Sequence, residues 1–271
     1  MMLLSTLLAT LDPTQKQDYY QRCARELLQQ YDLAEMTPHF VQHNAGIVFR
    51  LDDKAGVARY LLKIHESAGD TFMDTPEQLA AQMGWLAELA IDDRVRVQAP
   101  LANRQGDFVA LAQLAGMDRP SPATVQRWIT GEHVAQWQEK HAFAVGALLA
   151  TLHHISSEWQ GRNDPQFGAY HEDYLRQDVD RLSITVELGL ISTEQFALIQ
   201  QSAERIIGML DGIDRTAATW GLIHGDLHQG NVLFDDGKAV PLDFGPYCSY
   251  YLYDLGVSLY HATFDDVMIR K

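Results

Sequence analysis

The 271-residue chain holds only two cysteines, Cys23 and Cys248, far apart and in no paired spacing. That excludes a disulfide framework and a zinc-finger ligand set, and it fits a reducing compartment. Cations are short as well: 21 Lys and Arg stand against 36 Asp and Glu, for a formal net charge of -15. Such a field repels nucleic-acid phosphates and anionic membranes and favours cationic small molecules or metal ions, although it also serves solubility alone. No apolar run approaches a membrane span. The apolar start MMLLSTLLATLDP has no cationic leader and is cut by Asp12-Pro13. The expectation is a cytoplasmic globular protein with no nucleic-acid and no membrane partner. Internal repeats and low-complexity segments are missing too, which excludes a solenoid.

A chain of this length can bury a substantial core, and its hydrophobic period changes along it. Residues 14–31 predict a helix with Tyr20, Ala24, Leu27, Leu28 and Tyr31 on one face. HFVQHNAGIVFRL then breaks at Asn44-Ala45-Gly46 into two strands, DDKAG (52–56) is a second turn, and VARYLLKIH (57–65) is a third strand. Pro76 opens a helix running to about Ala90, with Leu79, Met83, Leu86 and Leu89 or Ala90 as its stripe. Two more strands are expected near 94–101 and 107–113, about a turn at Asn103–Gly106. From 117 the pattern turns helical: Trp137 to Leu152, Leu175 to Val186, and a capping-box start at Ser192–Gln195 leading into Phe196 to Leu210. The expected class is α+β. A small antiparallel β lobe with one inserted helix takes residues 1–115, and a larger, mainly helical lobe takes 116–271, with Ala115-Gly116 as the hinge.

The stretch richest in potential chemistry is 223-IHGDLHQGNVLFDDGKAVPLDFG-245. VLF (232–234) and AVPL (239–242) flank Asp235-Asp236-Gly237-Lys238, a strong hairpin-turn signal. Asn231 and Asp243 are equidistant from Gly237, which predicts that they share the open end of the hairpin, with Asp226 in the loop leading in. A carboxylate, an amide oxygen and a second carboxylate are hard donors of the kind that suits magnesium completed by water and phosphate. A metal held by an Asn and an Asp, beside another Asp able to accept a proton, is an arrangement for phosphoryl transfer. Two other readings stay open. In one, His224 and His228 join Asp226 as a transition-metal site for hydrolysis, without the further histidines and cysteines such sites use. In the other, the segment is a polar hairpin entry with no chemistry.

H-G-D-L-H-Q-G-N followed by L-D-F-G resembles the catalytic and metal-binding motifs of the aminoglycoside phosphotransferase/choline kinase family. The resemblance runs from about residue 40 to the end and takes in ALLATLHHI and YYLYDLGVSL. It implies a two-lobed, protein-kinase-like fold. It also implies ATP- and Mg2+-dependent transfer of the γ-phosphate to a hydroxyl of a small molecule: an aminoglycoside, choline or another amine, homoserine, or a sugar-like acceptor. On this resemblance Asp226 is the catalytic proton acceptor, and Asn231 and Asp243 are the magnesium ligands. Asp254 steadies the catalytic loop, and His224 and His153 are scaffold. Lys63 in YLLKIH matches the third-strand lysine on the nucleotide phosphates, and Gln113 to Ala115 match the backbone that meets adenine. Tyr247, Tyr250, Tyr251 and Tyr253 pack about the loop or line an amine pocket by cation–π contact.

The chain departs from the family in two places. Gln82 stands where the lysine's glutamate partner is expected, and an uncharged amide holds a lysine more weakly. The chain also stops 17 residues after Asp254, where family members continue with further helices. A short member, a truncated product and an expressed fragment are all compatible with that. A nucleotide-binding pseudokinase or inactive fragment therefore stays open beside the kinase reading, as does a kinase acting on protein Ser/Thr. Nothing in the sequence indicates an oligomeric state.

Overall fold

The computed structural model describes residues 12–43, 46–65, 75–114 and 120–263. The chain divides into two compact units: one runs to Glu132 and includes 233–235 and 240–242, and the other takes the rest from His133 onward.

In the first unit, helix α1 (Pro13–Leu28) starts in a reciprocal cap. The Gln15 N–H donates to the Asp12 carboxylate at 2.9 Å, and the Asp12 N–H donates to the Gln15 side chain at 3.0 Å. Its apolar face, Tyr20, Ala24, Leu27 and Leu28, packs on an antiparallel sheet. That sheet has the order β1-β2-β3-β5-β4. Its strands are β1 (Thr37–His43), β2 (Gly46–Asp52), β3 (Ala58–His65), β4 (Val109–Ala112) and β5 (Ser121–Arg127). Strand alternation sends Ile47, Phe49, Leu51, Leu62, Ile64, Ala123 and Val125 into that core. Each large aliphatic buried there contributes roughly 1.5–3 kcal/mol. Helix α2 (Pro76–Ile91) is capped by Thr75 and Gln78. It covers the other face, because Gln126, which alternates with the core residue Val125, meets Met83 Sδ at 3.7 Å.

Two expectations give way here. Ser121–Arg127, expected in the helical part, is a central strand: β5 pairs with β3 on one side and β4 on the other. The strand expected near 94–101 reduces to an isolated bridge between Pro100 and Gln126, since a proline has no N–H to extend a ladder. Because β4 and β5 are antiparallel neighbours in this sheet, the chain is still inside the first unit beyond Ala112. The chain leaves the first unit through 128–132 instead. Ala115-Gly116, the expected hinge, and Asn44-Ala45 of the first turn lie outside the described residues.

The second unit carries α3 (Glu139–Glu158), α4 (Glu172–Arg181), α5 (Ser183–Glu187), α6 (Thr193–Leu210) and α7 (Tyr251–Thr263). The helix expected over Leu175 to Val186 breaks into α4 and α5 at Leu182. Strand β6 (Trp220–Leu222) pairs antiparallel with β9 (Cys248–Tyr250). A polar knot ties the start of α4 to β9 and to the segment after α6. Glu172 accepts from the Tyr250 hydroxyl at 2.7 Å and from the Arg215 guanidinium, which stacks 4.5 Å over the Trp220 ring. Burial pushes the Glu172 carboxyl up. The Tyr250 hydroxyl, the residue's own backbone N–H and Arg215 outweigh this and hold it below the ordinary carboxylate range.

The hairpin β7 (Val232–Asp235) and β8 (Lys238–Pro241) turns through Asp236-Gly237, at φ 47° and 74°. Two left-handed central residues make a type I′ turn, whose twist matches that of the strands. Among the described residues no helix is long and apolar enough to cross a membrane.

Candidate active site

The loop between β6 and β7 is hung from one buried carboxylate. Asp254, on the first turn of α7, accepts the Gly225 N–H at 2.8 Å, the His224 N–H at 2.9 Å and His153 Nε2 at 2.9 Å. The His153 ring in turn lies 4.4 Å from and nearly parallel to Tyr251. Three donors on a fully buried acid replace the water it has lost. Gly225 bends the loop at φ 86°, and a Cβ there would come within 2.6 Å of Tyr247 Cε1. The turn therefore needs both the left-handed backbone and the absent side chain. His224 is buried, its ring 4.3 Å from that of Phe244, and its Nδ1 accepts the Asp226 N–H at 3.3 Å.

This leaves the Asp226 side chain exposed. Asn231 closes the short 3-10 turn Gln229–Asn231 just before β7. Its amide nitrogen donates to the Asp226 carbonyl at 2.9 Å and to Asp226 Oδ2 at 3.1 Å. With both amide hydrogens turned to Asp226, the Asn231 oxygen is the atom left to act as a donor to a cation.

Asp243 stands beyond the other strand of the hairpin, exposed and in left-handed backbone at φ 53°. The two-residue turn sets Asn231 opposite Leu242, so Asp243 falls one residue beyond the facing position that equal spacing predicts. Asn231 and Asp243 therefore flank the open end of one hairpin. An amide oxygen and a carboxylate fit a hard divalent cation of the magnesium type, which takes one or two protein donors and fills the rest with water and phosphate. Transition-metal chemistry fits less well. His224 and His228 each commit Nδ1 to a backbone N–H. Among the described residues, no group of three or more His, Cys, Asp or Glu is placed to hold a metal.

In the first unit, Lys63 sits mid-strand in β3, paired with Val48 of β2 and Thr124 of β5. By alternation it points away from α1, onto the face that α2 covers. Gln82 is buried on α2. A Cβ on Gly46 would meet the Ile64 carbonyl oxygen at 2.8 Å, so β2 starts on a bare backbone where it runs against β3, with Lys63 Cε in ordinary contact beside it. Gln113 is exposed just after β4, in the connection to β5, and Ala115 lies outside the described residues.

Residues 42–269 match the sequence profile of the phosphotransferase enzyme family, APH. The chain belongs to the phosphotransferase enzyme family. It is similar to amicoumacin kinase of Bacillus subtilis (strain 168), 25% identical over 212 residues, a match that covers 77% of this chain and 59% of that protein. It is also similar to homoserine kinase of Methylorubrum populi, 26% identical over 261 residues, covering 92% of this chain and 71% of that one. The chain thus spans 59% of the length of the first of these relatives. Among solved structures it is similar to amicoumacin kinase in complex with AMP-PNP, Ca2+ and Ami, with a TM-score of 0.72 at 19% identity, covering 93% of this chain and 72% of that one. The fold is α+β and protein-kinase-like.

Two features of this phosphotransferase chain escape sequence reasoning. One is the link at 128–132, held to the first unit by Trp128 N–H on Arg59 O at 2.9 Å and Glu132 N–H on Phe234 O at 2.8 Å. Nothing in TVQRWITGE marks it once β5 is missed. The other is the cap that His228 sets on the Gln229–Asn231 turn, since the sequence offers that histidine only as a transition-metal ligand.

Proposed function

We propose that this phosphotransferase chain moves the γ-phosphoryl group of ATP to a hydroxyl of a small, amine-bearing molecule in the cytoplasm. The observation that carries the reading is the pairing of Asp226 with Asn231. Oδ2 of the acid is held by the Asn231 amide, and the side chain is exposed, so Oδ1 is the oxygen we assign to an incoming hydroxyl. Asp226 orients that hydroxyl and takes its proton as the oxygen attacks. Asn231 and Asp243 are the residues that hold magnesium, and the ion, when bound, neutralises charge on the transferring phosphate. Lys63 takes the remaining phosphate charge, and Gln82 steadies it with a weaker, uncharged hydrogen bond. The adenine meets backbone groups of 128–132, the role that the family resemblance gave to Gln113 to Ala115.

An amine on the acceptor is supported by the net charge of -15 and by tyrosine rings beside the loop. Tyr170, Tyr247 and Tyr253 lie 5.2–5.9 Å apart, centroid to centroid, and the Tyr247 hydroxyl donates to Gly225 O at 3.4 Å. Burial raises the Tyr170 and Tyr247 hydroxyls above their ordinary range, so the rings stay neutral and can face a cation. Both cysteines are free and buried, which suits a reducing cytoplasm.

The test is ATP turnover with magnesium over a panel of amino alcohols, alongside thermal unfolding with ATP and magnesium each alone and together. A midpoint rise that needs both ligands is expected, and Asp226→Asn should lower kcat about 100-fold or more. Near-normal turnover in that variant would overturn the role of Asp226. A nucleotide-dependent rise with no turnover on any acceptor would favour a binding protein over an enzyme.

A further inference from the structure

We infer that His228 is a positioning residue that locks the proposed base and the metal-bearing turn into one circuit. His228 Nδ1 accepts the Gly230 N–H at 2.9 Å and so caps the Gln229–Asn231 turn. A ring nitrogen that accepts carries no proton, so the neutral imidazole has its proton on Nε2. That nitrogen faces Asp226 Oδ2 at 3.6 Å, close enough for its N–H dipole to act on the carboxylate. The same oxygen accepts the Asn231 amide at 3.1 Å. The circuit therefore runs from Asp226 to the His228 ring, through the Gly230 N–H to the turn, and back through Asn231. A Cβ on Gly230 would come within 2.7 Å of His228 Cε1, so the ring lies directly against the turn it caps. One hand of the ring fixes which Asp226 oxygen is presented to the acceptor. The other fixes the turn that aims the Asn231 oxygen. The inference rests on the functional reading above.

The two hands separate by substitution. His228→Asn keeps an acceptor for the Gly230 N–H, as asparagine does at a cap, but cannot reach Asp226. His228→Gln extends an amide N–H toward Asp226 and loses the cap, and His228→Ala loses both. The readouts are kcat at saturating magnesium, and the magnesium concentration that half-saturates the thermal shift given by AMP-PNP, which needs no turnover. His228→Asn should lose about 10-fold in kcat with its magnesium requirement unchanged, and His228→Gln should need about 10-fold more magnesium with kcat nearly kept. His228→Ala should show both losses.

With an active wild type, values within twofold of wild type in all three variants overturn the inference. So do equal losses in the Asn and Gln variants accompanied by a lowered unfolding midpoint, which would mean packing alone. A wild type that shifts with AMP-PNP and magnesium but never turns over sinks the functional reading and leaves the magnesium requirement of His228→Gln to decide this one. Nitrogen-15 NMR of the unliganded ring is independent of activity: the Nε2–H tautomer supports the circuit, and Nδ1–H overturns it.

Discussion

Asp236 and Asp243 both hold left-handed backbone, and Asp243 does so where the proposed chemistry needs a carboxylate. Asp243 holds a left-handed conformation, φ 53°, that costs an L-residue roughly 1–2 kcal/mol, though Asp tolerates it better than most. Asp243→Gly removes that strain and adds about 0.5–1 kcal/mol of unfolded-chain freedom, so these two backbone effects nearly cancel and the remaining loss reports the contacts of the carboxylate. Urea unfolding should place the variant within about 1 kcal/mol of wild type, while AMP-PNP with magnesium no longer raises its melting temperature. A loss several times larger would make the carboxylate a structural prop. Asp254 should behave oppositely. Asp254→Ala strips acceptors from the buried His224 N–H, from the Gly225 N–H and from His153. About 3–5 kcal/mol of stability should go with it, measured by the same denaturation. A change under 1 kcal/mol would mean that the loop finds other acceptors.

Among elements, the join of α4 to β9 through Glu172 gives the clearest pH signature. Its folded carboxyl is held below the ordinary range. Its contribution is therefore complete above about pH 4.5, the unshifted value, and is lost as pH falls through the depressed folded value. Glu172→Gln should flatten the acid limb of the stability curve below about pH 4, and an unchanged limb would assign that acid sensitivity elsewhere. Which elements were legible follows from where their information lies. Helix α1 and the β7–β8 hairpin are specified locally, by a reciprocal cap and a type I′ turn, and both stand where the pattern puts them. Strand β5 is Ser-Pro-Ala-Thr-Val-Gln-Arg, small and half polar, and becomes buried because β3 and β4 flank it. That fact belongs to the sheet and not to the segment. RVRVQAP alternates like a strand and is not one, because Pro100 ends the ladder at a single bridge. The site followed the same rule. Asp226, Asn231 and Asp243 lie in one contiguous motif, whereas Gln113 was placed on the premise that 107–113 is the last strand of the sheet, and β5 follows it.

At the scale of the whole molecule, charge predicts kinetics. A net charge of -15 attracts a cationic acceptor over several ångströms beyond contact, and salt screens that attraction with a Debye length of about 10 Å at 0.1 M. Raising ionic strength should therefore lower kcat/KM for an amine-bearing acceptor and leave it flat for a neutral one of the same size, and equal salt slopes would refute steering. The division into units has a different consequence, in time. The first unit is closed by residues 233–235 and 240–242, which reach it long after Glu132 in chain order, with Phe234 exchanging backbone hydrogen bonds with Glu132 and Asp235 paired with Arg96. On the ribosome the β1–β2–β3 meander can form early from neighbouring residues. The first unit cannot be finished until most of the second has been made. The two halves of this chain are thus completed together, and a nascent chain waits on its own C-terminal third before either is whole.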